Sequence, residues 1–292
     1  MFLQDFLQLT IGGLSAGAIY ALTAIGFVLL WQTSATINFA QGEFVTLPAF
    51  AILFFSGILG FPFPLAVLAA VALSALVLGL AVKRLLIDRL LDRGVLPIVI
   101  ATLALSLLIR YSLQQFWTPL ALPFPGIFPR QPVRVLGLAV SWEDLGNLGA
   151  AFLVILGLHL FLQRTRTGAA MQAVAQNRHL ATTVGIDVPR MVAVTFVLNA
   201  ILTGIAALLI APVYLVKYDI GIGLGIKAFY AAIIGGFNRT AGALLGGLVV
   251  GLAESYAGAY VSTPYRDAFA LGLIIAVLLW KPEGILGLRE EA

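Results

Sequence analysis

The 292-residue chain contains no cysteine, only two histidines and few charged side chains. The missing cysteines exclude a disulfide framework, a thiolate metal site and a cysteine nucleophile. The two histidines, His159 and His179, lie far apart in the sequence, so no metal cluster is expected. The sequence also lacks GxxxxGK[ST], HExxH and GxSxG patterns. We therefore expect no catalytic residues, and an activity driven by ATP would require another subunit.

Apolar side chains are abundant instead: 61% of the residues are hydrophobic, 10% are charged and the mean hydropathy is +1.05. Soluble domains are about 45–50% apolar and about 25% charged, so the natural solvent for this chain is a bilayer. A spanning helix needs about 20 apolar residues. The sequence predicts spans at about 8–31, 44–60, 63–82, 95–117, 145–163, 191–214, 241–258 and 266–280.

A further apolar segment, 218–236, is interrupted by Gly221, Gly223, Gly225 and Lys227. Counting it as a span gives nine crossings, whereas a re-entrant segment gives eight. The predicted fold is an all-α polytopic membrane protein with about eight to nine transmembrane segments, some broken or re-entrant. We expect one transmembrane domain over 1–292, and no internal repeat is detectable.

Basic residues predict the orientation. Arginine and lysine cluster in 83–93 and 163–190, and Lys281 and Arg289 lie near the chain end. The 118–144 connection has only Arg130 and Arg134, opposed by Glu143 and Asp144. The positive-inside rule places the C-terminus in the cytoplasm and the 118–144 loop and the N-terminus outside. The net charge is only +4, so no nucleic acid partner is expected.

The N-terminal segment and the outer loop add smaller expectations. The opening MFLQDFLQLT has no basic region and no clear cleavage site, so it leads into a retained first span. The outer loop is extended and stiff because proline removes backbone donors. It is either a tether or a docking surface for an external partner. Its prolines are Pro119, Pro123, Pro125, Pro129 and Pro132.

A first polar break follows the first apolar run, in TINFAQGEF at 36–44. It brings Asn38, Gln41, Gly42 and Glu43 together, and polar groups facing lipid are costly. One interpretation is a loop at the membrane surface, with Glu43 at the start of the next helix, where the helix dipole favours a carboxylate. The other is an unwound element beside a solute pathway.

A second break is predicted in the glycine-rich C-terminal part. Lys227 and Glu254 lie inside or near apolar spans, so each is a candidate for the translocation pathway, although they could pair with each other. Arg110 is expected to extend its charged head to the membrane surface. Broken segments in both halves are typical of a transporter pathway. A tight helix contact is expected at Gly242, Gly246 and Gly247.

The cytoplasmic loop at about 164–190 is too polar to span the membrane and rich in helix formers. Thr167 is a possible N-cap, and Gly185 is a plausible helix stop. We predict a helix over 168–186, either a simple surface link or an element that docks into a cytoplasmic protein. The candidate coupling residues are Val174, Ala175, Gln176, Asn177, Arg178 and Gly185.

Four stretches together resemble a known family. They are GAIYALTAIGFVLLWQTSATINFAQGEF, AVAQNRHLATTVGIDVPR, KAFYAAIIGGFNRTAGALLGGLVVGLAES and LLWKPEGILG. They are similar to the membrane subunits of branched-chain amino-acid ABC importers, the LivH type. The family often has His after Ile-Asn-Phe-Ala, where this chain has Gln41, which keeps hydrogen bonding but removes a titratable group. In the closing element, Lys281 and Leu286 replace the family's arginine and phenylalanine.

This resemblance implies a permease of the bacterial inner membrane with broken helices. Its implied partners are a second related permease, two cytoplasmic ATP-binding subunits and a periplasmic or lipid-anchored solute-binding protein. ATP and Mg²⁺ would be held by the ATP-binding subunits, and this chain would bind no cofactor. The implied substrates are leucine, isoleucine and valine, whereas close relatives handle other amino acids, amides or urea.

Two other classes of function are open from the residues. An ion-coupled secondary transporter would use Glu43, Glu254 and Lys227 as titrating or ion-binding groups. A structural membrane subunit without a pathway is disfavoured by the paired breaks.

Overall fold

The computed structural model describes residues 2–129, 131–135 and 138–287, and they form a mainly helical protein. Arg130 and Arg289, used above for the orientation, lie outside the described residues. The helices of the first part of the chain are α1 (Phe2–Ser34), α2 (Glu43–Leu53), α3 (Phe63–Ser74), α4 (Asp88–Leu90) and α5 (Val95–Phe116). Wider π-helical turns occupy Phe54–Ile58, Ala75–Ala81 and Lys83–Ile87, and 3₁₀ turns Leu91–Arg93.

The connection that is predicted to lie outside contains two short antiparallel strands, β1 (Val133–Val135) and β2 (Leu138–Val140). Leu122 in the same connection pairs its backbone with Val216, with both N–H···O distances at 2.9 Å. The helices of the second part are α6 (Trp142–Arg164), α7 (Arg166–Gln176), α8 (Arg178–Thr183), α9 (Val188–Tyr214), α10 (Ile220–Gly235), α11 (Thr240–Tyr260) and α12 (Arg266–Trp280), with a 3₁₀ turn at Thr263–Tyr265.

Seven helices of the described chain are long and apolar enough to cross a membrane. Two apolar helices are shorter, Glu43–Ile58 and Ile220–Gly235. The helix at the span predicted for 44–60 covers only about 24 Å at 1.5 Å per residue, less than the ~30 Å hydrocarbon core, so a full crossing there stays a prediction. The seven span-length helices are Leu3–Ser34, Phe63–Leu90, Val95–Phe116, Trp142–Arg164, Val188–Tyr214, Thr240–Tyr260 and Thr263–Trp280.

The predicted glycine break in 218–236 is not present. Gly221, Gly223 and Gly225 lie within the continuous helix α10. Glycine permits a break but does not impose one, and two of these glycines are used for close backbone contact, as described below.

By their contacts the residues form two compact units. One unit comprises 29–124 and 157–225, and its buried core joins α2, α5, α7, α8 and α9 with the π-helical turns Ala75–Ala81 and Lys83–Ile87. Among the fully buried side chains of this core are Leu30, Phe44, Leu78, Met171 and Phe196.

The other unit comprises 1–28, 125–156 and 226–292, apart from the undescribed positions. In it, α1 packs on α11 through glycines: a methyl group on Gly17 would lie 2.7 Å from the carbonyl oxygen of Gly247, and one on Gly13 would lie 3.1 Å from that of Gly251. The tight contact expected at Gly242, Gly246 and Gly247 is confirmed. Gly242 abuts Gly235, Gly246 abuts Ala231, and Gly247 abuts Ala21.

The segment after α12 closes the end of α10. The N–H of Ile285 donates to the carbonyl of Ile234 at 2.8 Å, and that of Leu286 donates to Gly235 at 3.0 Å. The last carbonyls of a helix have no partner within it, so this segment acts as a cap. Gly236 and Gly284 have φ of +104° and +84°, which side chains rarely adopt, and their backbones touch.

Candidate functional site

The predicted polar break between α1 and α2 has irregular backbone over 35–42. Its turns are held by its own hydrogen bonds: Asn38 Oδ1 accepts from Ala40 N at 3.0 Å, and Asn38 O accepts from Gln41 N at 3.1 Å. Asn side chains commonly bond to backbone two residues on. The break is thus an ordered turn, and Asn38 is 1% exposed.

Gln41 is paired with a residue that the sequence analysis did not single out, Asn199 of α9. Gln41 Nε2 donates to Asn199 Oδ1 at 2.7 Å, and Asn199 Nδ2 donates to Gln41 Oε1 at 2.9 Å. Both side chains are 0% exposed. A signal for Asn199 was present, since it is a single amide in the middle of the apolar run VTFVLNAIL.

Gly42 lies directly against the start of α10. A methyl group on Gly42 would collide with the carbonyl of Gly221, and one on Gly225 would lie 3.0 Å from Gly42 Cα. Thr46 Oγ1 also accepts a hydrogen bond from Gly221 N at 3.2 Å. The glycines at these positions therefore allow the break to touch the helix backbone.

Glu43 is the first residue of α2 and is 1% exposed. Its Oε1 accepts from Arg110 Nη2 at 2.9 Å, from Arg110 Nε at 3.2 Å and from Ser106 Oγ at 3.2 Å. The expectation that Arg110 extends to the membrane surface is wrong, because a buried carboxylate needs a charged partner. Among the described residues, Glu43 Oε2 and Asn38 Nδ2 are the buried side-chain polar atoms without a hydrogen-bond partner.

Lys227 and Glu254 pair with each other, which was one of the two interpretations above. Lys227 Nζ contacts Glu254 Oε1 and lies 3.3 Å from Asp267 Oδ1. Arg266 Nε lies 3.4 Å from Glu254 Oε1, and Tyr20 donates to Glu254 Oε2 at 2.8 Å. Lys227 Nζ is also 5.6 Å from the centre of the Tyr20 ring, within cation–π range.

The six predicted pathway residues thus fall into two clusters. Asn38, Gln41, Gly42 and Glu43 belong to one unit, and Lys227 and Glu254 to the other. All of their described polar side chains are buried or nearly so. Within the described residues, no group of three or more His, Asp or Glu side chains could hold a metal ion. A role of these six in solute passage stays a prediction.

The predicted cytoplasmic helix consists of two helices. The N-cap of α7 is Thr165, whose side chain accepts from Gly168 N at 2.9 Å, so the assignment of Thr167 is wrong. The helix stops at Asn177, whose extended backbone cannot continue it and whose side chain caps α8 through Leu180 N at 2.9 Å. Gly185 follows α8 with φ of +84°.

The candidate coupling residues divide by exposure. Val174 is buried in the core with Met171 and Ala181. Ala175, Gln176, Asn177, Arg178 and Gly185 are exposed. The loop therefore has an anchored face and an exposed face.

The span-length helices define a polytopic membrane protein. Residues 9–278 match the family model described as branched-chain amino acid transport system / permease component. The chain belongs to this family.

Its curated relatives extend over nearly the whole chain. It is 35% identical to the high-affinity branched-chain amino acid transport system permease protein BraD of Pseudomonas aeruginosa, over 99% of this chain and 98% of that protein. It is 32% identical to LivH of Escherichia coli K12, described in the same terms, over 98% and 96%. A probable branched-chain amino acid transport permease protein LivH of Methanocaldococcus jannaschii is 29% identical over 94% of this chain and 91% of that protein.

A solved structure with a similar fold is known. PsaBC from Streptococcus pneumoniae, in complex with Fab, has a TM-score of 0.50 and 15% identity, covering 95% of this chain and 92% of that chain.

Proposed function

We propose that this chain forms half of the translocation pathway of an ATP-driven importer for branched-chain amino acids. The observation that carries this proposal is the family match over residues 9–278. The relatives named as branched-chain amino acid transport permeases support leucine, isoleucine and valine as substrates. The match also favours the importer over an ion-coupled secondary transporter. Other amino acids, amides and urea are the alternative solutes.

The proposed partners are a second related permease, two cytoplasmic ATP-binding subunits and a periplasmic or lipid-anchored solute-binding protein. The chain has no phosphate-binding loop, so ATP and Mg²⁺ would bind to the partner subunits and no cofactor to this chain. The proposed location is the bacterial inner membrane with a cytoplasmic C-terminus.

The proposed contact with the ATP-binding subunits is the exposed face of α7 and α8. Their buried face is fixed to α9 by Val174 and Ala181, so a force on the exposed residues is transmitted to the unit. Solute would pass beside the break at 38–43 and the Lys227–Glu254 cluster as access alternates. The chain itself would catalyse no covalent chemistry.

Uptake of radiolabelled leucine into proteoliposomes containing the whole complex tests the function. We expect ATP-dependent uptake that needs the solute-binding protein, is blocked by vanadate and survives ionophores. Unlabelled isoleucine and valine should compete, whereas amides and urea should not. Uptake that collapses with the ion gradient and ignores vanadate would overturn the proposal.

A further inference from the structure

The amide pair of Gln41 and Asn199 is the first observation. Both side chains are fully buried, and the two hydrogen bonds between them join residues that lie 158 positions apart. A buried amide that loses its partner costs about 1–3 kcal/mol. Separating the break at 38–43 from helix α9 is therefore energetically unfavourable.

The second observation is what holds the other end of α9. Its first turns carry Val188, Met191 and Val192, which share one buried core with Val174 and Ala181 of α7 and α8. Asn199 follows Val188 by eleven residues, about 16 Å at 1.5 Å per residue. One continuous helix thus connects the anchored face of the cytoplasmic loop to the amide pair.

The third observation is that other buried polar side chains on α9 do not reach across. Thr195 and Thr203 lie one turn either side of Asn199 and are also 0% exposed. Their hydroxyls donate to carbonyls of α9 itself, Met191 O at 3.0 Å and Asn199 O at 2.8 Å. Asn199 differs from both because it binds the break.

We propose that Asn199 is a positioning residue, through which a displacement of α7 and α8 sets the position of the break at 38–43. Gln41 receives that displacement and passes it to its neighbours Gly42 and Glu43, which contact Gly221 and Arg110. The inference rests on the proposed function, since it assigns the route by which ATP hydrolysis acts on the pathway.

A purely structural role of the amide pair would give the same contacts. The variants must therefore distinguish a structural role from a role in positioning the break at 38–43. Asn199→Leu alone takes both hydrogen bonds of the amide pair from the buried Gln41 side chain and can fail to assemble. The double variant Gln41→Met/Asn199→Leu removes both partners, which is often nearly neutral for stability. The exchange Gln41→Asn/Asn199→Gln keeps an amide on each side with the same total side-chain length.

The test measures leucine uptake and ATP hydrolysis together in proteoliposomes of the complete complex. We expect the double apolar variant to assemble and hydrolyse ATP, while leucine transported per ATP falls by about tenfold, within the 5–150-fold range of coupling between sites. The exchange variant should recover most of the ratio. Thr195→Val/Thr203→Val, the matched control, should keep the wild-type ratio.

Two outcomes would overturn the inference. The first is a double apolar variant that transports with the wild-type ratio. The second is one that does not assemble, since the pair would then be needed for folding alone. If the wild-type complex itself shows no ATP-dependent uptake, the proposed function fails instead, and this result is separate from both.

Discussion

Each of the two units buries one carboxylate beside a cation, but the two sites are built differently. Glu254 spreads its charge over both oxygens: Oε1 faces Lys227 and Arg266, and Oε2 accepts from Tyr20. Glu43 collects three hydrogen bonds from Arg110 and Ser106 on Oε1 alone, and its Oε2 has none.

The difference concerns how each site tolerates change. Glu254 has several partners, so the loss of one leaves the others in place. Glu43 depends on a single cation, so the loss of Arg110 leaves its buried charge without a countercharge. We therefore expect the Lys227–Glu254 cluster to tolerate single substitutions better than the Glu43 site.

Removing the two cations gives the largest expected effect. Arg110→Met should destabilise the complex by about 3–5 kcal/mol, because it leaves a buried carboxylate without a countercharge. Lys227→Met should cost about 1.5–3 kcal/mol, the value of one charged hydrogen bond, because Arg266 and Tyr20 remain. The thermal unfolding midpoint of the purified complex in detergent measures both.

The matched controls neutralise the carboxylates as well. Glu43→Gln/Arg110→Met and Glu254→Gln/Lys227→Met should each recover part of the lost stability, because no uncompensated charge remains. Equal losses for the two single variants would contradict the comparison of the two sites.

A backbone contact gives the next effect. Gly221→Ala should destabilise by about 1–3 kcal/mol, because its methyl group would collide with the carbonyl of Gly42. Gly223 is in the same helix but has nothing within 4 Å of an added methyl group, so Gly223→Ala is the control and should be neutral or slightly stabilising. Unfolding midpoints that shift alike would show that the contact is absent.

The smallest effect concerns the segment of α7 and α8. Asn177→Ala removes the cap of α8 and should cost about 1 kcal/mol, so the amides of α8 should exchange hydrogen about fivefold faster. Hydrogen exchange of the assembled complex, followed by mass spectrometry, reads this segment directly. Thr167→Ala is the control and should leave the exchange rate unchanged. Faster exchange in this variant would contradict the two-helix arrangement and favour the single helix, capped by Thr167, that the sequence predicts.

The helices were predictable because their signal is local, whereas the partners within the site were not. Apolar runs indicate spans, and Glu43 was placed correctly at a helix start. Arg110 was assigned to the membrane surface because nothing near it in sequence pointed to a carboxylate 67 positions away. Asn199 was overlooked for the same reason, although a lone amide inside a span is a signal in itself.

For the glycines, the sequence predicted some of the helix contacts and missed others. Small residues at 242, 246 and 247 correctly predicted helix contact, because the spacing that permits such contact is periodic. Gly221 and Gly225 have no such pattern, and glycine is compatible both with a helix break and with a close backbone contact. Which of these occurs depends on the neighbouring backbone, here that of Gly42, and not on the segment itself.

The glycine contact between α1 and α11 has a consequence for biosynthesis. Gly13 and Gly251 are separated by 238 positions, and ribosomes add about 5–20 residues per second. Helix α1 therefore waits roughly 12–48 s in the bilayer before its partner α11 emerges. During that interval its small-residue face is open to lipid or to other helices, so a membrane insertase or chaperone that shields it would act on the nascent chain in this window.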